Sequence, residues 1–168
     1  MKNRLLAPLL FGSALALSAS AIGVAQSAPA PAGGGLNVLD FRPGFDDLMT
    51  MLVQPRHIKL YAAGQARNWE LAGFQLNELR ASFRRIGQTL PRYRTYEMDS
   101  SVASIIAPAI AKMDGAIKAA DPAQFTAAYG ELTAACNTCH TAMEHAFLII
   151  KMPDAAALSP YTDQEFRK

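Results

Sequence analysis

The chain has 168 residues, with 16 Lys and Arg against 14 Asp and Glu, which is room for one domain. Hydrophobic residues at 51% against 18% charged exclude disorder throughout. Two cysteines exclude a disulfide-dense scaffold, and beyond the N-terminus no run of about twenty apolar residues predicts a membrane span.

The N-terminus reads as an export signal. Lys2 and Arg4 give a basic start, a largely apolar stretch follows from Leu5 to about Val24, and small residues offer a cleavage position after Ser27. An uncleaved anchor helix is the other reading; Pro8, Gly12 and the Ala/Ser/Gly content weigh against it. The expected organisation is a signal peptide over 1–27, a flexible spacer over 28–40, a helical domain over 41–152 and a tail over 153–168. The spacer contains Pro29-Ala30-Pro31-Ala32-Gly33-Gly34-Gly35, which has nothing to pack. Cleavage would remove two basic residues and no acidic one, leaving the mature chain balanced. That is no footing for nucleic acid, which needs a basic excess. Export predicts a periplasmic location without membrane insertion after cleavage.

The remaining chain predicts helix nearly everywhere, since sustained strand alternation and hairpin signals are missing. A first helix is expected from about Pro43 to Gln65, kinked or split at Pro55. A second is expected from Trp69 to Gly87, with Asn68 as N-cap and Leu71, Phe74, Leu76, Leu79, Phe83 and Ile86 as an apolar stripe. A third runs from Asp99 to Ala119, capped by Asp99 or Ser100 and bent at Pro108. A fourth starts at Asp121-Pro122, an N-cap followed by proline in the first turn. It continues through Phe125, Tyr129, Leu132, Cys136 and Cys139 to about Ile149. Four amphipathic helices on short connections predict an all-α, antiparallel up-down-up-down four-helix bundle.

The residues that carry chemistry are Cys136-Asn137-Thr138-Cys139-His140. Cys-x-x-Cys-His is the attachment motif of a c-type haem. Two thiols add across the two vinyl groups and become thioethers. Positions i and i+3 of a helix share a face, so both sulfurs meet one porphyrin edge. The adjacent His140 then supplies the proximal iron ligand. The rival readings are a thioredoxin-like redox pair, a zinc site completed by His140 and His145, and a disulfide between near neighbours. No βαβ pattern surrounds the pair, and structural zinc draws on separated ligand pairs.

With this motif near the C-terminal end of the last helix, the sequence resembles the four-helix class II c-type cytochromes, the family of cytochrome c prime and its low-spin relatives. The resemblance covers about residues 43 to 150. Within it, His57-Ile58-Lys59-Leu60, Asn68-Trp69-Glu70-Leu71-Ala72 and Leu132-Thr133-Ala134-Ala135-Cys136 look like an exported bacterial haem protein group. It implies one covalent haem c, a histidine ligand, and either electron transfer or small-gas binding. It also implies a possible homodimer.

The other side of the iron decides between those functions. Pro122 to His140 is 18 residues, roughly 27 Å of helix. The same count back from the turn near Arg67 reaches Met49, with Met51 within one turn. Low-spin members of the family place a methionine in the first helix, and thioether ligation gives an electron carrier. In a straight helix His57 lies about 12 Å from that level, whereas a new helix at Pro55 would let it approach. An apolar distal face would leave an iron open to NO or CO. Arg80, Arg84, Arg85, Arg92 and Arg94 fall within fifteen residues that hold no acid. Arg92 and Arg94, between the second and third helices, are the candidates for haem propionate contacts, and the cluster is a candidate docking patch for redox partner proteins. His145 is expected on another face of the last helix. The expected function is a monohaem electron carrier, not an enzyme. The alternatives are a five-coordinate gas-binding haem protein and a non-haem zinc or redox-disulfide protein.

Overall fold

The computed structural model describes residues 43–161 and 164–167. The expected signal peptide over 1–27 and spacer over 28–40 lie outside the described residues. Among the described residues the chain is all-α apart from one short ladder, and no helix is long and apolar enough to cross a membrane.

The first helical run is α1 (Phe45–Leu48), a π turn (Met49–Val53) and α2 (Gln54–Gln65). It neither splits nor restarts at Pro55. Proline lacks an N–H and its ring crowds the preceding turn, and a wider π turn just before it takes up the misfit. The Leu52 carbonyl accepts from Arg56 Nη1 at 2.7 Å and from Ser82 Oγ at 3.4 Å. The third run repeats the device: α4 (Met98–Ser101), a π turn (Val102–Ile106) and α5 (Ala107–Ala119), with Pro108 in the first turn of α5. Glu97 occupies the N-cap position of α4 without a side-chain bond, in place of the expected Asp99 or Ser100 cap.

α3 (Trp69–Thr89) and α6 (Pro122–Ala142) start where their capping residues predict. Asn68 Oδ1 accepts from the Leu71 amide at 3.2 Å, and Asp121 Oδ1 accepts from the Ala123 and Gln124 amides at 2.8 and 3.1 Å. Between α3 and α4 lies an antiparallel ladder of β1 (Arg92–Tyr93) and β2 (Tyr96–Glu97), too short to show in a sequence pattern. α6 ends at Ala142, seven residues before the expected Ile149. The last described segment holds a 3-10 helix, Ala155–Tyr161, where an irregular tail was expected.

Two helix ends share one device. After α2, Arg67 is left-handed (φ 55°), with its amide on the Gly64 carbonyl and the Asn68 amide on the Ala63 carbonyl. After α6, Glu144 is left-handed (φ 64°), with its amide on the Thr141 carbonyl and the His145 amide on the His140 carbonyl. Both are Schellman motifs, in which the chain reverses and satisfies its last carbonyls.

α2 packs on α3, α5 on α6, α3 on α5 and α2 on α6. Their shared interior holds Leu60, Leu76, Leu79, Ile86, Ile106, Met113, Phe125, Tyr129 and Leu132, all fully buried. Each such side chain contributes about 1.5–3 kcal/mol on leaving water. Phe74, expected in the stripe of α3, is exposed instead.

Candidate functional site

The helices leave a cleft of about 660 Å³, within the range of about 300–1,000 Å³ typical of ligand pockets. One wall comes from α1, its π turn and α2: Phe45, Met49, Val53 and His57. The opposite residues come from α6 and the segment after it: Cys136, Cys139, His140, Met143, His145, Phe147, Leu148 and Ile150. Phe83, Tyr93 and Ile106 add to the lining, and Asp46, Thr50 and Gln54 give the first wall a polar margin.

The π turn explains the first wall. An α-helix rotates about 100° per residue, so each four-residue step overshoots by about 40°. Three such steps would carry His57 about 120° round from Phe45. The wider turn at Met49–Val53 absorbs that drift and keeps Phe45, Met49, Val53 and His57 on one cleft. The expected difference in level between Met49 and His57 therefore does not remove His57 from the cleft.

The Schellman turn explains the second wall. Because α6 stops at Ala142, His145 is not on another face of that helix; it follows the reversal and lines the cleft. Residues 147–150 then run back as a strap over α6. His140 Nδ1 donates to the Leu148 carbonyl at 2.7 Å. Nε2 of a neutral His140 is then the nitrogen with the free lone pair, the arrangement that metal-binding histidines adopt. Asn137 Nδ2 donates to the Ile150 carbonyl at 2.8 Å, and the Ile150 amide donates back to Asn137 Oδ1 at 2.7 Å.

Cys136 is half-buried, Cys139 is buried, and both thiols are free. Burial, and then the neighbouring Cys139, push the Cys136 thiol up to about 12, and burial also raises Cys139. Cys139 Sγ donates to Met143 Sδ at 3.9 Å.

His57 is 4% exposed and both its nitrogens are engaged, Nδ1 with the Tyr129 hydroxyl at 2.9 Å and Nε2 with Thr133 Oγ1 at 3.1 Å. Tyr129 also donates to the His57 carbonyl at 2.7 Å, and Thr133 to the Tyr129 carbonyl at 2.9 Å. Burial pulls the His57 pKa down to about 4 and holds the Tyr129 phenol far above its ordinary value. Met49 is half-buried in the cleft wall, whereas Met51 is 56% exposed and outside the lining.

Arg92 pairs with Glu97, and Arg94 with Glu144 at 2.7 Å; neither lines the cleft. The residue between them, Tyr93, does. Its hydroxyl donates to His145 Nε2 at 3.2 Å, while His145 Nδ1 donates to the Met143 carbonyl at 2.6 Å. Tyr93 also stacks on Phe45, ring centres 4.4 Å apart. Sequence reasoning missed Tyr93, Phe45, Phe83 and Asn137 as parts of the site. Asn137 stood inside the motif but had no pattern of its own.

The donor set fits a covalently attached haem. Two thiols at i and i+3 open on a mostly apolar cleft, beside an imidazole whose Nδ1 is already committed. Phe147 is 75% exposed at the cleft, so a large apolar group there would cover surface the chain leaves bare. Among the described residues no three His, Cys, Asp or Glu side chains gather into a metal-binding group. Comparisons with protein-family models, with curated proteins and with solved structures find no match to this chain.

Proposed function

We propose that this chain is a monohaem c-type cytochrome, exported to the periplasm, that carries single electrons between redox partner proteins. The observation behind this reading is the convergence of Cys136, Cys139 and His140 on one apolar cleft, with His140 Nδ1 donating to the Leu148 carbonyl. Cys136 and Cys139 would hold the group through thioethers, and His140 would offer Nε2 to the iron. The architecture that goes with it is an antiparallel up-down-up-down four-helix bundle of the class II kind. A haem held there supplies a one-electron couple at its iron.

The chain's own residues set the conditions for that couple. Phe45, Val53, Phe83 and Ile106 keep the cleft apolar and limit water. Met49 is the better second ligand, because no hydrogen bond to its sulfur is present among the described residues. Ligation by His57 would break a bond to Tyr129 or Thr133. If Met49 and His140 both held the group, its one-electron couple would have a higher potential, which suits electron transfer. Arg92 and Arg94 flank Tyr93, and propionate contacts would compete with their pairing to Glu97 and Glu144.

The redox-dithiol alternative needs a thiol pKa lowered by its surroundings, whereas burial raises both thiols here. The gas-binding alternative draws on the same wall: if Met49 serves only in packing, Thr50 and Val53 beside it offer the iron no ligand, and a bound haem would be open to a small gas.

The test is an absorption spectrum of the purified, reduced protein, produced with c-type haem maturation, before and after CO. Wild type should contain haem and ignore CO, and Met49→Ala should bind it. A protein without haem overturns the reading. CO binding by wild type replaces electron transfer with gas binding.

A further inference from the structure

Among the described residues, the strap after α6 is pinned to the helix at two places. His140 holds the Leu148 carbonyl, and Asn137 holds both backbone groups of Ile150. The bonds at Asn137 form a closed pair, amide to carbonyl and amide to side-chain oxygen, at 2.8 and 2.7 Å. Upstream, the strap leaves the helix through the left-handed Glu144, a position that costs a non-glycine residue strain. Phe147 and Ile149 are exposed, at 75% and 77%, so their side chains give the strap little burial to hold it. The Leu148 amide donates to the His145 carbonyl at 2.8 Å, and beyond that turn the place of the Leu148 carbonyl rests on the pin two residues further on.

We propose that Asn137 is a positioning residue: by clamping Ile150 it holds the Leu148 carbonyl on His140 Nδ1, and so fixes which nitrogen of His140 is left to bind iron. This deepens the haem reading and rests on it for the meaning of that nitrogen. The two nitrogens are distinct, and the hydrogen bond at one sets the role of the other. An imidazole that donates to a carbonyl is also a more basic ligand, which favours the oxidised iron. The two spacer positions of Cys-x-x-Cys, i+1 and i+2, then differ in kind. Thr138 only bonds back to the Ala134 carbonyl of its own helix, at 3.0 Å.

The test uses the full chain with Asn137→Ala, Asn137→Asp and, as a control, Thr138→Ala. In chain produced without haem maturation, nitrogen NMR reads the His140 tautomer and amide exchange reads Ile150. Asn137→Ala should speed exchange at Ile150 by about fivefold or more, the order expected for a lost hydrogen bond. It should also move His140 from the Nδ1–H form toward the Nε2–H form. Asn137→Asp keeps the acceptor for the Ile150 amide and should fall between Asn137→Ala and wild type, and Thr138→Ala should match wild type. In haem-loaded chain, Asn137→Ala should raise the reduction potential. Unchanged Ile150 exchange, or faster exchange with the His140 tautomer unmoved, overturns the proposal. A wild-type chain that takes up no haem under maturation overturns the cytochrome reading instead, and leaves the tautomer result standing.

Discussion

Around Phe125 the helices fill their own interior; around Cys136 they stop short of doing so. Phe125 is fully buried, with Trp69 at 5.8 Å and Tyr129 at 6.0 Å between ring centres. Its ring lies over Gly64 so closely that a Cβ there would occupy the space of the ring. Three turns further along α6, the same helices face a cleft of about 660 Å³ with Phe147 left exposed beside it. Close packing rewards every methylene in the first region. In the second, apolar surface is left uncovered, which is a cost unless something occupies the space. Stability is thus concentrated in one region and binding capacity in the other.

The largest effect should come from breaking the open region alone. Cys136→Ala with Cys139→Ala should abolish covalent haem on a denaturing gel while far-UV dichroism keeps its helical form. Haem retained on that gel would count against the thioether assignment.

His57 stands between the two regions, so acid probes the boundary. Its folded pKa is about 4 against an ordinary 6.5. Between those values the unfolded chain takes up a proton that the folded chain refuses. This contribution is whole above about pH 6.5 and disappears as the pH falls toward 4, at a total cost of about 3 kcal/mol. Urea unfolding at pH 7 and pH 5 should therefore show a larger loss for wild type than for His57→Gln. Equal losses would remove His57 from the acid response.

Gly64→Ala perturbs only the packed region and should cost about 1–3 kcal/mol by overpacking. Chemical denaturation measures that cost, and the visible spectrum of the loaded protein should not move. The smallest effect belongs to Arg94→Ala, which removes an exposed pair with Glu144 worth about 0–1 kcal/mol. A fall in haem retention in that variant would return Arg94 to the propionate role.

The same contrast decides what the sequence made legible. The packed region could be read because it follows local rules. Asn68 and Asp121 cap as their chemistry requires, and Phe125, Tyr129 and Leu132 fall at helical spacing. The motif at Cys136, Cys139 and His140 was also legible, since three residue types at fixed spacing name their chemistry. Met49 and His57 were singled out as well and do line the cleft, but most of the rest was not legible. Glycine usually marks a Schellman end, yet here Glu144 takes that place, so the reversal that brings His145 and Leu148 to the site had no signal. Arg67 carries the same disguise at the end of α2. Pro55 announced a disturbance but not its form, because kink, break and π turn all answer a missing amide. The arginines were read for their charge, while the structure pairs two of them with Glu97 and Glu144 and brings Tyr93 to the cleft.

The π turn at Met49–Val53 makes chain length a variable in its own right. Deleting one residue there would let the run close toward a regular α-helix, with the Pro55 ring left to crowd the turn before it. Phe45 and His57 would then be eleven α-helical steps apart, roughly 1,100°, which is within about 20° of three whole turns. Phe45 would keep the wall it shares with His57, but sit about 1.5 Å closer to it along the axis, although no cleft residue had been substituted. At this place a length change acts as a shortening of the wall and not as a rotation, and an aligned substitution table would not register it.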